Sequence, residues 1–110
     1  MSGKVEEQIR QAVLKFHLSE QGVAPESVQV FLCDDVVLVR CHNVFTKAER
    51  DLAATKQGMK VIQSARRDQR ALSRRRAESQ IAEITGRAVP RSFYDIDTRV
   101  GEQIEVYVLE

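Results

Sequence analysis

The sequence predicts an α+β domain of two layers, a four-stranded antiparallel sheet covered by an N-terminal helix and a long central helix. Three observations carry this. Apolar residues recur at three- and four-residue spacing near the N-terminus and again, more thinly, along a central stretch. Two pairs of segments alternate apolar and polar residues, with turn residues between the members of each pair. The order of these signals along the chain is α-β-β-α-α-β-β. All 110 residues are read as one domain, 1–110, large enough to build a core without metal or disulfide support.

Composition narrows the class. Hydrophobic residues make up 43% and charged residues 30% of the chain, which is ordinary for a folded soluble protein and argues against disorder. Aromatic residues are only 5%, with no Trp, so the core is built mainly from Val, Ile, Leu and Ala. The net charge of +1 provides no global field that would draw the chain to nucleic acid or anionic lipid. The longest apolar run, Val36-Val37-Leu38-Val39, is far short of the roughly 20 residues that span a bilayer, so no membrane insertion is expected. Acids follow the N-terminus where a signal peptide would be apolar. A cytoplasmic location is expected, with Cys33 and Cys41 as small buried residues in a reducing compartment.

Taken in order, Val5, Ile9, Ala12, Val13 and Phe16 mark one face of the first helix. Ser2 is placed to cap it, Glu6 and Glu7 suit the positive end of its dipole, and Gly22 and Pro25 stop it. Residues 28–33 alternate as a strand, Asp34-Asp35 turns the chain, and the β-branched run 36–41 reads as a central strand. A two-residue turn pairs Cys33 with Val36 and sets Cys41 opposite Val28. The cysteines then lie at opposite ends of the hairpin, beyond the roughly 7 Å between Cα atoms that a disulfide tolerates.

Thr46 and Glu49 have the spacing of a capping box, and helix follows almost without a break to Thr85-Gly86, where the glycine suits a left-handed cap. Gly58 is the weak point and divides the stretch into helices over 46–56 and 58–85. Met59, Ile62, Ala65, Gln69, Leu72, Ala77, Ile81 and Ile84 form its apolar stripe. Residues 88–96 and 103–109 are the last two strands, joined by a hairpin in which Gly101 supplies a positive φ. Pro90 predicts that the third strand starts late or lies on an edge.

Several local motifs, in this order, resemble the MpsC-like family of small bacterial proteins. They are Val37-Leu38-Val39-Arg40, Val44-Phe45-Thr46-Lys47-Ala48-Glu49 with Leu52-Ala53, Gly58, Ile84-Thr85-Gly86, Asp95-Ile96-Asp97-Thr98 with Gly101-Glu102, and Val106-Tyr107-Val108-Leu109. That family was long a domain of unknown function and is named for a component of a sodium-translocating, membrane-potential-generating system. The resemblance implies a cytoplasmic accessory or regulatory protein, tied to sodium and inorganic-carbon handling, with a membrane-transport subunit as a possible protein partner. It implies no catalytic residue and no cofactor.

The residues themselves offer one candidate surface. The central helix carries Arg66, Arg67, Arg70, Arg74, Arg75 and Arg76 within eleven positions. Seven basic residues and one acid between positions 60 and 76 give a local balance of +6, which leaves −5 on the rest of the chain. This arginine set is the candidate docking surface for an acidic protein partner. The same residues would serve a phosphate ligand or nucleic acid, but no aromatic residues interleave with them for base stacking, so nucleic acid is not expected. A solvated helix face paired with Asp68, Glu78, Glu83 and acids from the rest of the chain would look alike.

Asp34-Asp35, and Asp95 with Asp97, have carboxylates close enough for a cation, although aspartates beside turns mostly cap backbone amides. Cys33, Cys41 and His42 lack the paired spacing of a zinc site, so no metal is expected. His17 falls just past the apolar stripe as a boundary residue. Neither histidine has a nucleophile motif beside it, and the glycines are scattered singly, so no enzyme activity or cofactor is expected. The order α-β-β-α-α-β also echoes nucleotide-clamping KH domains of type II, but their Gly-x-x-Gly loop is here Thr55-Lys56-Gln57-Gly58. A 28-residue helix is roughly 42 Å long, which exceeds a compact domain of this size. The expectation is that it projects, bends at Gly58 or packs against a second copy in a homodimer.

Overall fold

The computed structural model describes residues 2–110. The elements follow the expected order: α1 (Ser2–Gln21), β1 (Ser27–Cys33), β2 (Val36–His42), α2 (Lys47–Leu52), α3 (Lys56–Thr85), β3 (Arg91–Asp97) and β4 (Glu102–Val108). The strands form one antiparallel sheet in the order β1-β2-β4-β3. The β-branched run is central, as its composition requires, and β3 behind Pro90 is an edge strand. Helix α1 lies against β1 and α3 against β3, and the two helices also touch. The capping role expected of Ser2 concerns a side chain outside the described residues.

Local chemistry accounts for most of the boundaries. Cys33 pairs with Val36 and Cys41 with Val28, so the hairpin register is the expected one and both cysteines are free. Cys41 is buried, which pushes its thiol pKa up, but Cys33 is exposed rather than buried. Glu6 and Glu7 act through side-chain contacts, Glu6 accepting from the edge-strand amide of Leu32 at 2.9 Å and Glu7 pairing with Arg10 at 2.8 Å. Gly101 takes a φ of 67° in the last hairpin, and its carbonyl accepts from the Val44 amide at 2.9 Å.

The α2–α3 junction differs from expectation. The Thr46–Glu49 capping box is present in both directions, but the helix ends at Leu52 and restarts at Lys56 with Thr55 as a second N-cap. The Thr55 hydroxyl accepts from the Gly58 amide at 2.9 Å. Gly58 is therefore inside the first turn of α3 and is not the divider. A Cβ built on it would lie 1.7 Å from the Leu52 carbonyl oxygen, so glycine is needed there for close approach of α2. The 55–58 segment is helix start rather than an open nucleotide-clamping loop.

Helix α3 has 30 residues, about 45 Å at 1.5 Å per residue, and the molecule measures 43 × 23 × 22 Å. The helix is the long axis of the molecule and is covered at intervals from Gly58 to Ile81. It neither projects bare nor bends at Gly58, so its length no longer requires a second copy.

The facing of α3 corrects the apolar stripe. Leu72 is 86% exposed, whereas the buried α3 positions are Gly58, Ile62, Arg66, Ser73, Ala77 and Ile81. On β4 the core side carries Gln103, Glu105 and Tyr107, while Ile104 and Val106 face the other way. Helix propensity alone would make Gly58→Ala stabilising by about 1 kcal/mol. The contact with Leu52 predicts instead a loss of about 1–3 kcal/mol from overpacking, measured by urea unfolding. A gain in stability would contradict the contact.

Candidate functional site: buried and exposed arginines on one helix

Arg66 is 3% exposed. A guanidinium can be buried only if its donors are satisfied and its charge is paired, and here three segments contribute. Its Nε and Nη2 donate to the two carboxylate oxygens of Glu49, each at 2.7 Å, and Nη2 also donates to the Val44 carbonyl at 2.6 Å. Nη1 lies 3.3 Å from His17 Nε2 on α1. His17 Nδ1 is 2.6 Å from the Val23 carbonyl. A carbonyl can only accept, so Nδ1 carries the proton and Nε2 accepts from Arg66. Burial, with Arg66 alongside, lowers the His17 pKa and keeps the ring neutral. Glu49 completes the capping box through the Thr46 amide at 2.9 Å. Although its burial alone would raise the carboxyl pKa, the bonds from Arg66 and Thr46 hold it below the ordinary value.

One helical turn on, Arg70 makes a second buried pair. Its side chain is 10% exposed, and it reaches Glu105 at 3.1 Å and the Tyr107 hydroxyl at 2.9 Å. Its guanidinium lies 5.6 and 5.5 Å from the ring centroids of Tyr94 and Tyr107, within cation–π range. Burial would lower the Arg70 pKa, but Glu105 and Tyr107 outweigh it and hold the group charged. Tyr107 donates to Glu105, Gln103 donates to Glu105 at 2.7 Å, and Tyr94 donates to Gln103 at 3.2 Å. Burial raises both phenol pKa values, so the tyrosines stay protonated as donors.

Two cations and two carboxylates make this interior electrically balanced. Among the described residues no buried side-chain polar atom lacks a partner. A cavity of about 50 Å³ beside the network is walled by His17, Gln69, Arg70, Tyr94 and Glu105 among others, space for a few water molecules. Both nitrogens of His17 are committed, so the ring has no free site to act as a base. The network ties α3 to the sheet, to α2 and to α1.

The other four arginines lie outside. Arg67 reaches Asp95 at 3.1 Å and Arg76 reaches Glu20 at 3.2 Å, both with exposed guanidiniums. Arg76 also sits 5.8 Å from the Phe16 ring centroid. Arg74 and Arg75 are exposed and form no ion pair with a described residue. Glu78, one turn from Arg74, is held instead by the Ser92 hydroxyl at 2.7 Å. The partners of the arginine set are thus acids from the rest of the chain, Glu49, Glu105, Asp95 and Glu20, rather than the neighbouring Asp68, Glu78 and Glu83.

Asp97 accepts from the Arg99 backbone at 3.0 Å and from its guanidinium at 2.7 Å, which holds its pKa down to about 2. Asp95 caps the Ile96 amide at 2.8 Å. No cluster of three metal-ligating side chains occurs among the described residues. The His42 ring hydrogen-bonds to the Gln29 side chain at 3.4 Å. An open groove of about 620 Å³ between the start of α3 and the last hairpin has mixed walls, Lys56 and Lys60 facing Asp97 and Glu102.

His17, Glu105, Tyr94, Tyr107 and Gln103 were not singled out by sequence for this role. One signal was available: 62, 66, 70, 73, 77 and 81 form an unbroken helical stripe once the arginines are counted as inward residues.

These features define a two-layer α+β domain braced internally by charge pairs, with a separate basic ridge outside. The chain belongs to the family described as Na+-translocating membrane potential-generating system (MpsC), which matches residues 1–110. It is 25% identical over 107 residues to the uncharacterized protein YbcI of Bacillus subtilis (strain 168), covering 97% of this chain and 86% of that one. No solved structure matches the chain.

Arg66→Met would strand Glu49 and the Val44 carbonyl, so it is expected to cost about 3–5 kcal/mol in urea unfolding. Adding Glu49→Gln should recover part of that loss. A cost below about 1 kcal/mol, the level of a surface pair, would show that the pair is not buried in solution.

Proposed function

We propose that the chain is a non-catalytic, cytoplasmic accessory protein of a membrane-potential-generating system. It acts by docking the outer arginines of α3 on an acidic segment of a partner, such as a membrane-transport subunit. The observation that carries this reading is the split of the arginine set. Arg66 and Arg70 are consumed inside, while Arg74 and Arg75 present guanidiniums that no described carboxylate neutralises. Arg67 and Arg76 flank them in exposed pairs worth about 0–1 kcal/mol each, which a partner's carboxylates can replace at little cost. The planar five-donor fork suits bidentate carboxylate recognition. The family described above supports the physiological setting, and no described helix is long and apolar enough to cross a membrane.

The test is a charge-reversed variant, Arg67→Glu/Arg74→Glu/Arg75→Glu, which spares the interior and should unfold within about 1 kcal/mol of the parent. Used as bait beside the parent in extracts of the native cells, it should lose the captured transport partner by at least tenfold while keeping its circular dichroism. Retention of the same partner would refute docking through the ridge. Fluorescence polarisation with a labelled oligonucleotide at low salt should show no shift. A salt-sensitive shift would reassign the ridge to phosphate or nucleic acid.

A further inference from the structure

The helices cover one face of the sheet, and the other face is bare. Pairing registers lay that face out in transverse rows. Phe31 pairs with Leu38, Leu38 with Val106 and Val106 with Phe93, so one row is apolar across all four strands. The next row toward one end is Cys33, Val36, Val108 and Arg91. On the other side it is Gln29, Arg40, Ile104 and Asp95. Phe31 is 49% and Phe93 58% exposed, and Ile104 is also exposed. Scattered apolar residues on a surface mean little, but a contiguous patch spanning a sheet marks an interface.

We propose that this face is a homodimer interface, two copies stacking sheet on sheet about a twofold axis that runs along the Phe31–Leu38–Val106–Phe93 row. The argument for a second copy over another partner is self-complementary charge. Arg91 and Asp95 sit two residues either side of Phe93 on the same face of β3. A twofold along the row reverses strand direction and sets Arg91 of one copy against Asp95 of the other, twice, in exchange for the exposed pair that Asp95 makes with Arg67 within each copy. It also lays the row Val36–Val108 over the aliphatic stem of Arg40 and over Ile104. Isologous contact of this kind closes on itself and leaves no open end. Four strands of seven residues give a face of roughly 19 by 23 Å, or about 400 Å² per copy. That is about half of the roughly 800 Å² per partner of a standard interface. The dimer is therefore weak and concentration-dependent, and it leaves the arginine ridge on the helical side of each copy free.

Sedimentation equilibrium of the full chain from micromolar to millimolar concentration tests this. The parent should pass from monomer to dimer. Phe93→Glu and, separately, Phe31→Lys should stay monomeric with unchanged circular dichroism. Arg91→Asp and Asp95→Arg should each weaken the dimer at low salt, and the double swap Arg91→Asp/Asp95→Arg should restore it. A parent that is monomeric throughout overturns the proposal, as does a dimer indifferent to Phe93→Glu and Phe31→Lys. Dimerisation that the double swap does not rescue overturns the proposed axis. An Arg74→Glu/Arg75→Glu variant, which leaves the Arg67–Asp95 pair untouched, should dimerise like the parent, so failure of docking and failure of dimerisation are read separately.

Discussion

The structure depends on the burial of one guanidinium. Arg66 collects Glu49 from the start of α2, the Val44 carbonyl from the loop after β2, and His17 from α1. Without it three segments that are distant in sequence would have no shared fixed point on α3. The carboxylate that neutralises Arg66 is the same one that caps α2, so helix initiation and tertiary packing share a residue. Arg70 repeats the arrangement one turn later toward the sheet, through Glu105 and Tyr107. Buried ion pairs are weak evidence for added stability compared with apolar packing, but removing one member is costly. Their effect here is directional: only one rotation of α3 about its axis satisfies both arginines.

That geometry decides what the same helix can offer outside. Successive residues of a helix are about 100° apart, so Arg66 and Arg70 face inward while Arg74 and Arg75 face solvent. A cluster that is dense in sequence becomes two populations in space. One is buried and neutralised; the other is exposed, and in it Arg74 and Arg75 pair with no described carboxylate. Membership in the MpsC family supports the physiological setting proposed for docking through the outer set.

Much of the fold was legible because its signals are local. The Thr46–Glu49 box, the two-residue turn at Asp34-Asp35 with its register, the Gly86 cap and the edge position of β3 each need only a few neighbouring residues. What was illegible is what depends on partners far along the chain. Arg66 bonds across 17 and 49 positions and Arg70 across 35, so nothing near them announces that they are neutralised. Reading apolar residues as inward therefore moved Leu72 to the wrong side and treated His17 as a boundary residue. On β4 the alternation was visible but not its facing, because Glu105 and Gln103 occupy the core side only by bonding each other and Tyr107. The junction at Thr55 was missed for a related reason: the constraint on Gly58 is the Leu52 carbonyl, a contact that appears only when α2 folds back.

One helix carries two kinds of arginine. Labelling of the native protein with a dicarbonyl reagent, followed residue by residue by mass spectrometry, tests it most directly. Arg74 and Arg75 should react at the rate of a free arginine, with Arg66 and Arg70 protected until the protein unfolds globally. Reaction of Arg66 or Arg70 at the rate of Arg74 under native conditions would contradict the account.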